Sequence, residues 1–153
     1  MPGSKPRRMS KPEKAPPQPR DRLAEIRAER IKNDPAGRSH LEAALHAGRA
    51  SDQTTSLARL ITLDVDFHSA IYRLAGNPAI EETIAPQWPH MRRSMATVLG
   101  GLDYRVSAWR EHEIIAAHIL SGDTAAAEAA AQSHALTAGR TTEERLTARS
   151  RAA

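Results

Sequence analysis

Apolar residues recur every three or four positions from about residue 20 to about residue 138, which is the period of helices that bury one face. The pattern is interrupted at four clusters of helix-breaking or capping residues, namely 33–37, 76–78, 100–101 and 122–123. No alternation of apolar and polar residues is long enough to indicate a strand. The pattern therefore predicts an all-α protein, a bundle of about six helices.

The breaks and the capping residues give approximate bounds for each predicted helix. The segments are 20–32, 39–49, 52–75, 77–99, 104–120 and 123–138, followed by a polar tail or short helix over 141–153. Asp52 is the predicted cap of the third and longest helix. Asn77 caps the fourth, with Pro78 at its first position, and Asp123 caps the sixth. Prolines at 86 and 89 predict a kink or break within the fourth helix.

The third predicted helix carries two polar side chains on its apolar face. The apolar positions of that face are Leu57, Leu60, Ile61, Ile71 and Ala75. Asp64 and His68 interrupt them one helical turn apart, so both side chains should project toward the core. Because a buried carboxylate needs a compensating partner, this pair predicts either a hydrogen-bonded network or a metal ion.

Two later helices show the same feature. His112 lies in the middle of the apolar face formed by Ala108, Ile115 and Ile119. His134 is the only large polar residue on a face that is otherwise built from alanines, namely Ala127, Ala131 and Ala138. Those alanines should allow the sixth helix to approach its neighbours closely and bring His134 to a shared centre.

One acid and three imidazoles on three helices therefore predict a site for one divalent metal. Imidazole and carboxylate donors suit Zn, Ni, Fe or Mn, and the absence of cysteine disfavours a structural zinc site. A core histidine satisfied by hydrogen bonds is the alternative for each imidazole taken alone. The remaining histidines are interpreted as core or surface residues: His40, His46, His90 and His118.

Charge and composition limit the other functions. Residues 1–20 carry a net charge of +5 and the rest of the chain carries −1, so the predicted bundle lacks the basic surface expected of a DNA-binding domain. Residues 1–19 contain six of the ten prolines and are predicted to be a disordered basic tail. No apolar run reaches the roughly 20 residues that a bilayer crossing needs, which predicts a cytoplasmic protein without membrane contact.

Four short motifs resemble the FCD effector domains of GntR-family transcriptional regulators. Residues 64–68 read D-x-x-F-H and are followed by Leu-Ala-Gly-Asn-Pro at 74–78. Residues 111–115 read E-H-x-x-I, and Gly-Asp at 122–123 precedes Ala127 and His134. The separations of 44 positions from His68 to His112 and 22 from His112 to His134 are similar to those of the family.

The resemblance implies an antiparallel bundle whose ligands Asp64, His68, His112 and His134 hold a divalent metal, with a small carboxylate effector at or beside it. It also implies an assisting arginine, for which Arg92 and Arg93 are the candidates. It further implies a homodimer, or a heterodimer with a full-length relative.

Complete regulators of the family also carry a winged helix-turn-helix of about 70 residues, and no segment of this sequence resembles one. The sequence is therefore interpreted as a truncated or stand-alone sensing domain over 20–140, without sequence-specific DNA binding of its own. Two other functions stay open: a metal-dependent hydrolytic enzyme, in which a metal-bound water would react, and a metal-free helical interaction module.

Overall fold

The computed structural model describes residues 19–152, with side chains from Leu23 onward. The elements in chain order are α1 (Pro19–Lys32), α2 (Pro35–Arg49), α3 (Leu57–Ala75), α4 (Pro78–Ile84), a 3-10 turn (Ala85–Gln87), α5 (Trp88–Leu99), α6 (Leu102–Ser121) and α7 (Thr124–Ala152). These residues contain no strand, so the predicted all-α helical bundle is confirmed. The tail predicted to be disordered over 1–19 lies outside the described residues, except for Pro19.

Local sequence explains most of the helix ends. The Asn77 side chain accepts a hydrogen bond from the Ala79 amide at 3.2 Å, and Pro78 occupies the first helical position, as predicted. The 3-10 turn falls at the predicted proline break. Gly76 and Gly122 end α3 and α6 in left-handed conformations, with φ of 62° and 79°, which glycine adopts without steric cost.

Three predicted ends were wrong. The second helix begins at Pro35 and not at residue 39, because the Asp34 side chain caps it by accepting from the Gly37 amide at 2.8 Å. Asp52 does not cap α3, because its carboxylate instead accepts from the Thr54 amide at 2.8 Å and closes a turn before the helix. Ser56 caps α3 and accepts from the Arg59 amide at 3.3 Å. The sixth predicted helix does not stop near Ala138. It is the first part of α7, which has 29 residues in total. α7 is therefore longer than α3, which has 19 residues and was predicted to be the longest helix.

The core lies on both sides of α3. One cluster joins α2, α3 and α6, and its buried residues are Leu41, Leu63, Phe67, Ala70, Leu74, Trp109 and Ala116. The second joins α3 and α5, and its buried residues are Leu60, Val65, Met95, Val98 and Leu99. Since α3 packs on two sides, its buried surface is wider than the predicted single stripe. Leu57 and Ala75 at the ends of that stripe are exposed.

The helices were also compared with the length and hydropathy that a membrane-spanning helix needs. Among residues 19–152, no helix combines the length and apolar character needed to cross a bilayer.

Candidate metal centre

Three helices bring the four predicted ligand residues together between the two core clusters. Asp64 and His68 come from α3, His112 from α6 and His134 from α7. Asp64, His112 and His134 are buried, and the His68 side chain is 17 % exposed. Each side chain therefore lies on the inner side of its helix, where the periodicity places it.

The donor atoms of these residues converge. His112 Nε2 lies 3.2 Å from His134 Nε2 and 3.7 Å from Asp64 Oδ1, and His68 Nε2 lies 3.9 Å from Asp64 Oδ2. One ring nitrogen from each of His68, His112 and His134 lies within 4.8 Å of the other two. The arrangement depends on packing between helices, since only Asp64 and His68 share an element.

These separations fit one metal ion. Atoms that each lie about 2.0–2.2 Å from a shared ion are roughly 3 to 4.4 Å from one another. The three separations given above fall in that interval, with Asp64 contributing Oδ1 to one and Oδ2 to the other, and the group in which every donor lies within 4.8 Å of the others consists of the three histidines. The donor set is one carboxylate and three imidazoles, a combination that binds Zn, Fe, Ni or Mn.

Glu111 supports His134 from outside this set. Glu111 Oε2 lies 2.7 Å from His134 Nδ1. Because a carboxylate only accepts hydrogen bonds, Nδ1 carries the proton and donates, which leaves the lone pair of Nε2 directed toward His112 and free for a metal. This role of Glu111 was not predicted from the sequence, because Glu111 precedes His112 and occupies a different face of α6. The E-H pair in the sequence was the available signal.

Burial makes the charged forms of these groups costly. It raises the pKa of the Asp64 carboxyl to about 7. Burial, and secondarily the nearby His134, lowers the pKa of the His68 imidazole to about 4. Burial, followed by the other two imidazoles, holds the pKa of His112 well below its usual range. The neutral imidazoles have the free lone pairs that a cation needs, whereas the Asp64 carboxyl must release its proton to become a ligand.

Aromatic packing fixes the His112 ring. The ring stacks on Phe67 with centroids 4.3 Å apart and meets Trp109 edge-on at 4.7 Å. These contacts hold His112 fully buried and direct its Nε2 toward the shared centre. Its other nitrogen, Nδ1, is buried without a hydrogen-bond partner among the described residues.

A cavity of about 580 Å³ opens beside the four residues, bounded by α3, α5, α6 and α7. Asp64, His68 and His134 form part of its wall. Tyr104 also lines it, and burial, followed by the influence of Asp64, raises the pKa of its hydroxyl to about 12. This hydroxyl therefore remains a hydrogen-bond donor at neutral pH.

Alanines of α7 form one wall of this cavity. His134 does reach the shared centre, as predicted, and Ala127, Ala131 and Ala138 lie on the cavity side. On the side that faces α5, their small side chains border the open cavity.

The two arginines predicted to bind an effector lie elsewhere. Arg92 and Arg93 are both exposed, and neither lines the cavity. Arg93 Nη2 instead contacts His90 Nδ1 at 2.6 Å, and His90 together with Ser94 faces the cavity from α5. A role for either arginine in binding an acid stays a prediction that this geometry does not support.

Comparison with known families agrees with the motifs. The model of the FCD domain family matches residues 22–137, which is most of the chain. The chain belongs to the FCD domain family. FCD domains are the effector-binding, regulatory domains of GntR-family transcriptional regulators. Searches of curated proteins and of solved structures give no match to this FCD domain.

Proposed function

We propose that this FCD domain senses a small organic acid with the help of a divalent metal ion bound by Asp64, His68, His112 and His134. The observation that carries the proposal is the convergence of three imidazole nitrogens, with the Asp64 carboxylate beside two of them, next to an open cavity whose wall includes Asp64, His68 and His134. A bound divalent ion would supply positive charge and coordination positions for a carboxylate.

The residues around the cavity suggest how binding could be communicated. The cavity is bounded by α5 on one side and by α3, α6 and α7 on the other, so an occupant contacts helices that carry ligand residues and one that does not. A ligand shifts a conformational equilibrium only through different affinities for the two states. We propose that the acid changes the position of α5, and that the domain acts as a homodimer or as a heterodimer with a relative that carries a winged helix-turn-helix.

A hydrolytic function has weaker support. Such a reaction needs a general base close to the metal-bound water. Glu111 is the nearby carboxylate outside the ligand set, and its Oε2 accepts a hydrogen bond from His134. Glu111 therefore has a positioning role, and FCD domains as a family are regulatory ligand-binding modules.

The metal assignment is tested by single substitutions and metal analysis. We expect wild-type protein loaded with Zn²⁺ or Ni²⁺ and then desalted to retain one ion per chain. His112→Ala and His134→Ala should each lose stoichiometric metal and melt at a lower temperature. His118→Ala is the control, because His118 is also on α6 but is not part of the converging set. Retention of one ion per chain by both ligand variants, with helicity intact by circular dichroism, would exclude this assignment.

Effector binding is tested with the same protein. Carboxylic acids should raise the melting temperature of the metal-loaded protein more than that of protein treated with a chelator. A metal-free interaction module would show no metal retention and no such difference between the two forms.

A further inference from the structure

The cavity wall away from the metal centre is mainly apolar. Four residues of α5 and two of α6 form much of it: Met91, Met95, Val98, Leu99, Ile115 and Ile119. The polar side chains outside the metal set are neutral hydroxyls and one further histidine: Tyr72, Ser94, Tyr104, Thr142 and His90. No lysine or arginine among the described residues lines this space.

Two arginines that contact residues of the cavity wall are directed to other partners. Arg93 contacts His90 from the exposed side of α5. Arg145 lies over the Tyr104 ring at 5.7 Å, and its Nη1 donates to the Thr97 carbonyl at 2.9 Å. Neither guanidinium borders the cavity, so an anionic group placed there would have the metal centre as its one strong electrostatic partner.

These observations limit the chemistry of the effector. A second carboxylate on the ligand would be desolvated without a cationic partner, which is costly. Sugar hydroxyls facing methionine, valine and leucine would lose hydrogen bonds to water without replacing them. An apolar chain gains from the same wall, because each buried methylene strengthens binding by about fourfold. A two- or three-carbon acid would leave most of the 580 Å³ unfilled.

We infer that the effector is a monocarboxylate with an extended apolar body, and not a dicarboxylate, tricarboxylate or sugar acid. This inference rests on the proposed function, since the metal centre receives the carboxylate. The apolar body lies between α5 and α7, against the methionines on one side and the alanines on the other.

Matched pairs of acids test the inference by calorimetry on the metal-loaded protein. From butanoate to hexanoate to octanoate, affinity should rise by roughly fourfold per methylene. Octanedioate, which differs from octanoate by its second carboxylate, should bind at least about tenfold more weakly. Gluconate should likewise bind more weakly than hexanoate, which has the same number of carbons. Equal affinities along the chain-length series, or octanedioate binding as tightly as octanoate, would overturn the inference.

A substitution on α7 locates the apolar body. Ala131→Leu adds a branched side chain to the cavity wall, so it should reduce the ratio of octanoate to butanoate affinity by about tenfold or more. Ala129→Leu is the matched control, because Ala129 is an alanine of the same helix that does not line the cavity. An unchanged ratio in Ala131→Leu contradicts the placement.

The outcomes separate this inference from the proposed function. If butanoate binds to metal-loaded protein but longer acids bind no better, the proposed function stands and the apolar-body inference fails. If no acid binds and no metal is retained, both fail. In protein treated with a chelator, all affinities should fall while the increment per methylene persists, because the apolar wall does not depend on the metal.

Discussion

Glu111 shows how a residue outside the candidate metal ligands can orient one of them. The proton on His134 Nδ1 is held by the Glu111 carboxylate at 2.7 Å, so His134 presents Nε2 in its unprotonated form. The His134 ring also has a fixed orientation, since the hydrogen bond joins α6 to α7. Glu111 should therefore influence metal affinity without touching the metal.

We predict that Glu111→Ala weakens metal binding by roughly 10- to 100-fold, as is typical for the loss of a carboxylate that orients a ligating histidine. Glu111→Gln should recover part of the affinity, because its amide oxygen can still accept from Nδ1. Competition titration with a chromophoric chelator measures the change. Glu113→Ala is the control, because Glu113 pairs with the exposed Arg49 at 2.6 Å, and an ion pair of that kind contributes little. Equal losses in the Glu111 and Glu113 variants would contradict the positioning role.

The pKa values of the buried groups predict the pH dependence of the metal-free protein. Folding lowers the pKa of His68 to about 4 and that of His112 well below its usual 6.5, so below pH 6.5 the unfolded chain gains two protons that the folded chain does not bind. Asp64 opposes this, because burial raises its folded pKa to about 7, above its usual value of 3.8. One net proton favours the unfolded state, so stability should fall by at most about 1.4 kcal/mol per pH unit between roughly pH 6 and 4.5.

Urea unfolding in the presence of a chelator measures that slope. Asp64→Asn removes the opposing group, so its slope should be about twice as steep. If the free energy of unfolding did not change with pH in the wild-type protein, or changed equally in Asp64→Asn, the predicted uptake of one net proton on unfolding would be wrong.

At the scale of elements, the sequence was most informative where a structure depends on neighbouring residues. The Asn77-Pro78 start of α4 and the Gly122 end of α6 were predictable, since a cap and a left-handed glycine act within one turn. The α3 cap was mispredicted because Asp52 and Ser56 both have capping side chains, and the Asp52 carboxylate instead closes a turn with Thr54 and Thr55. The full length of α7 was not predicted because the polar segment after Ala138 has little apolar surface to bury, and Gly139 lies within the helix without ending it.

The candidate site also combines features that depend on neighbouring residues with features that depend on packing between helices. Periodicity placed Asp64, His68, His112 and His134 on inner faces, which requires only the pitch of a helix. The contact between Glu111 and His134 depends on how far α7 is displaced along α6, and the cavity depends on the separation of α5 from α7. Neither quantity is encoded in the spacing of residues along a single helix.

Alanine substitutions at two helical glycines should have opposite effects on the stability of the protein. A methyl group on Gly48 of α2 would overlap the Trp109 ring, whereas one on Gly139 of α7 would meet no atom within 4 Å. Gly48→Ala should therefore destabilise the protein by about 1–2 kcal/mol, because overpacking outweighs the gain in helix propensity. Gly139→Ala should stabilise it by roughly 0.5–1 kcal/mol. Urea unfolding of both variants measures the effects, and a stabilised Gly48→Ala would mean that Trp109 can move aside.

The distribution of charge along the whole chain determines where it could bind nucleic acid. The net charge of +4 comes from a strongly basic N-terminal stretch, while the rest of the chain is nearly neutral. The α-helical domain has a mainly apolar cavity and a candidate metal site formed by histidines, and neither feature suits the recognition of a polyanion. Any attraction to DNA should therefore reside in the N-terminal stretch and lack sequence preference.

This charge distribution leads to a prediction for DNA. Five cationic side chains precede α1: Lys5, Arg7, Arg8, Lys11 and Lys14. If all five contact phosphates, the logarithm of the affinity should fall against the logarithm of salt concentration with a slope no steeper than about −4.5. Fluorescence anisotropy with several unrelated duplexes should give equal, weak binding that is lost near 200 mM salt, and deletion of residues 1–18 should abolish it. Preference for one duplex by more than tenfold at that salt concentration would instead require base contacts from the helical domain.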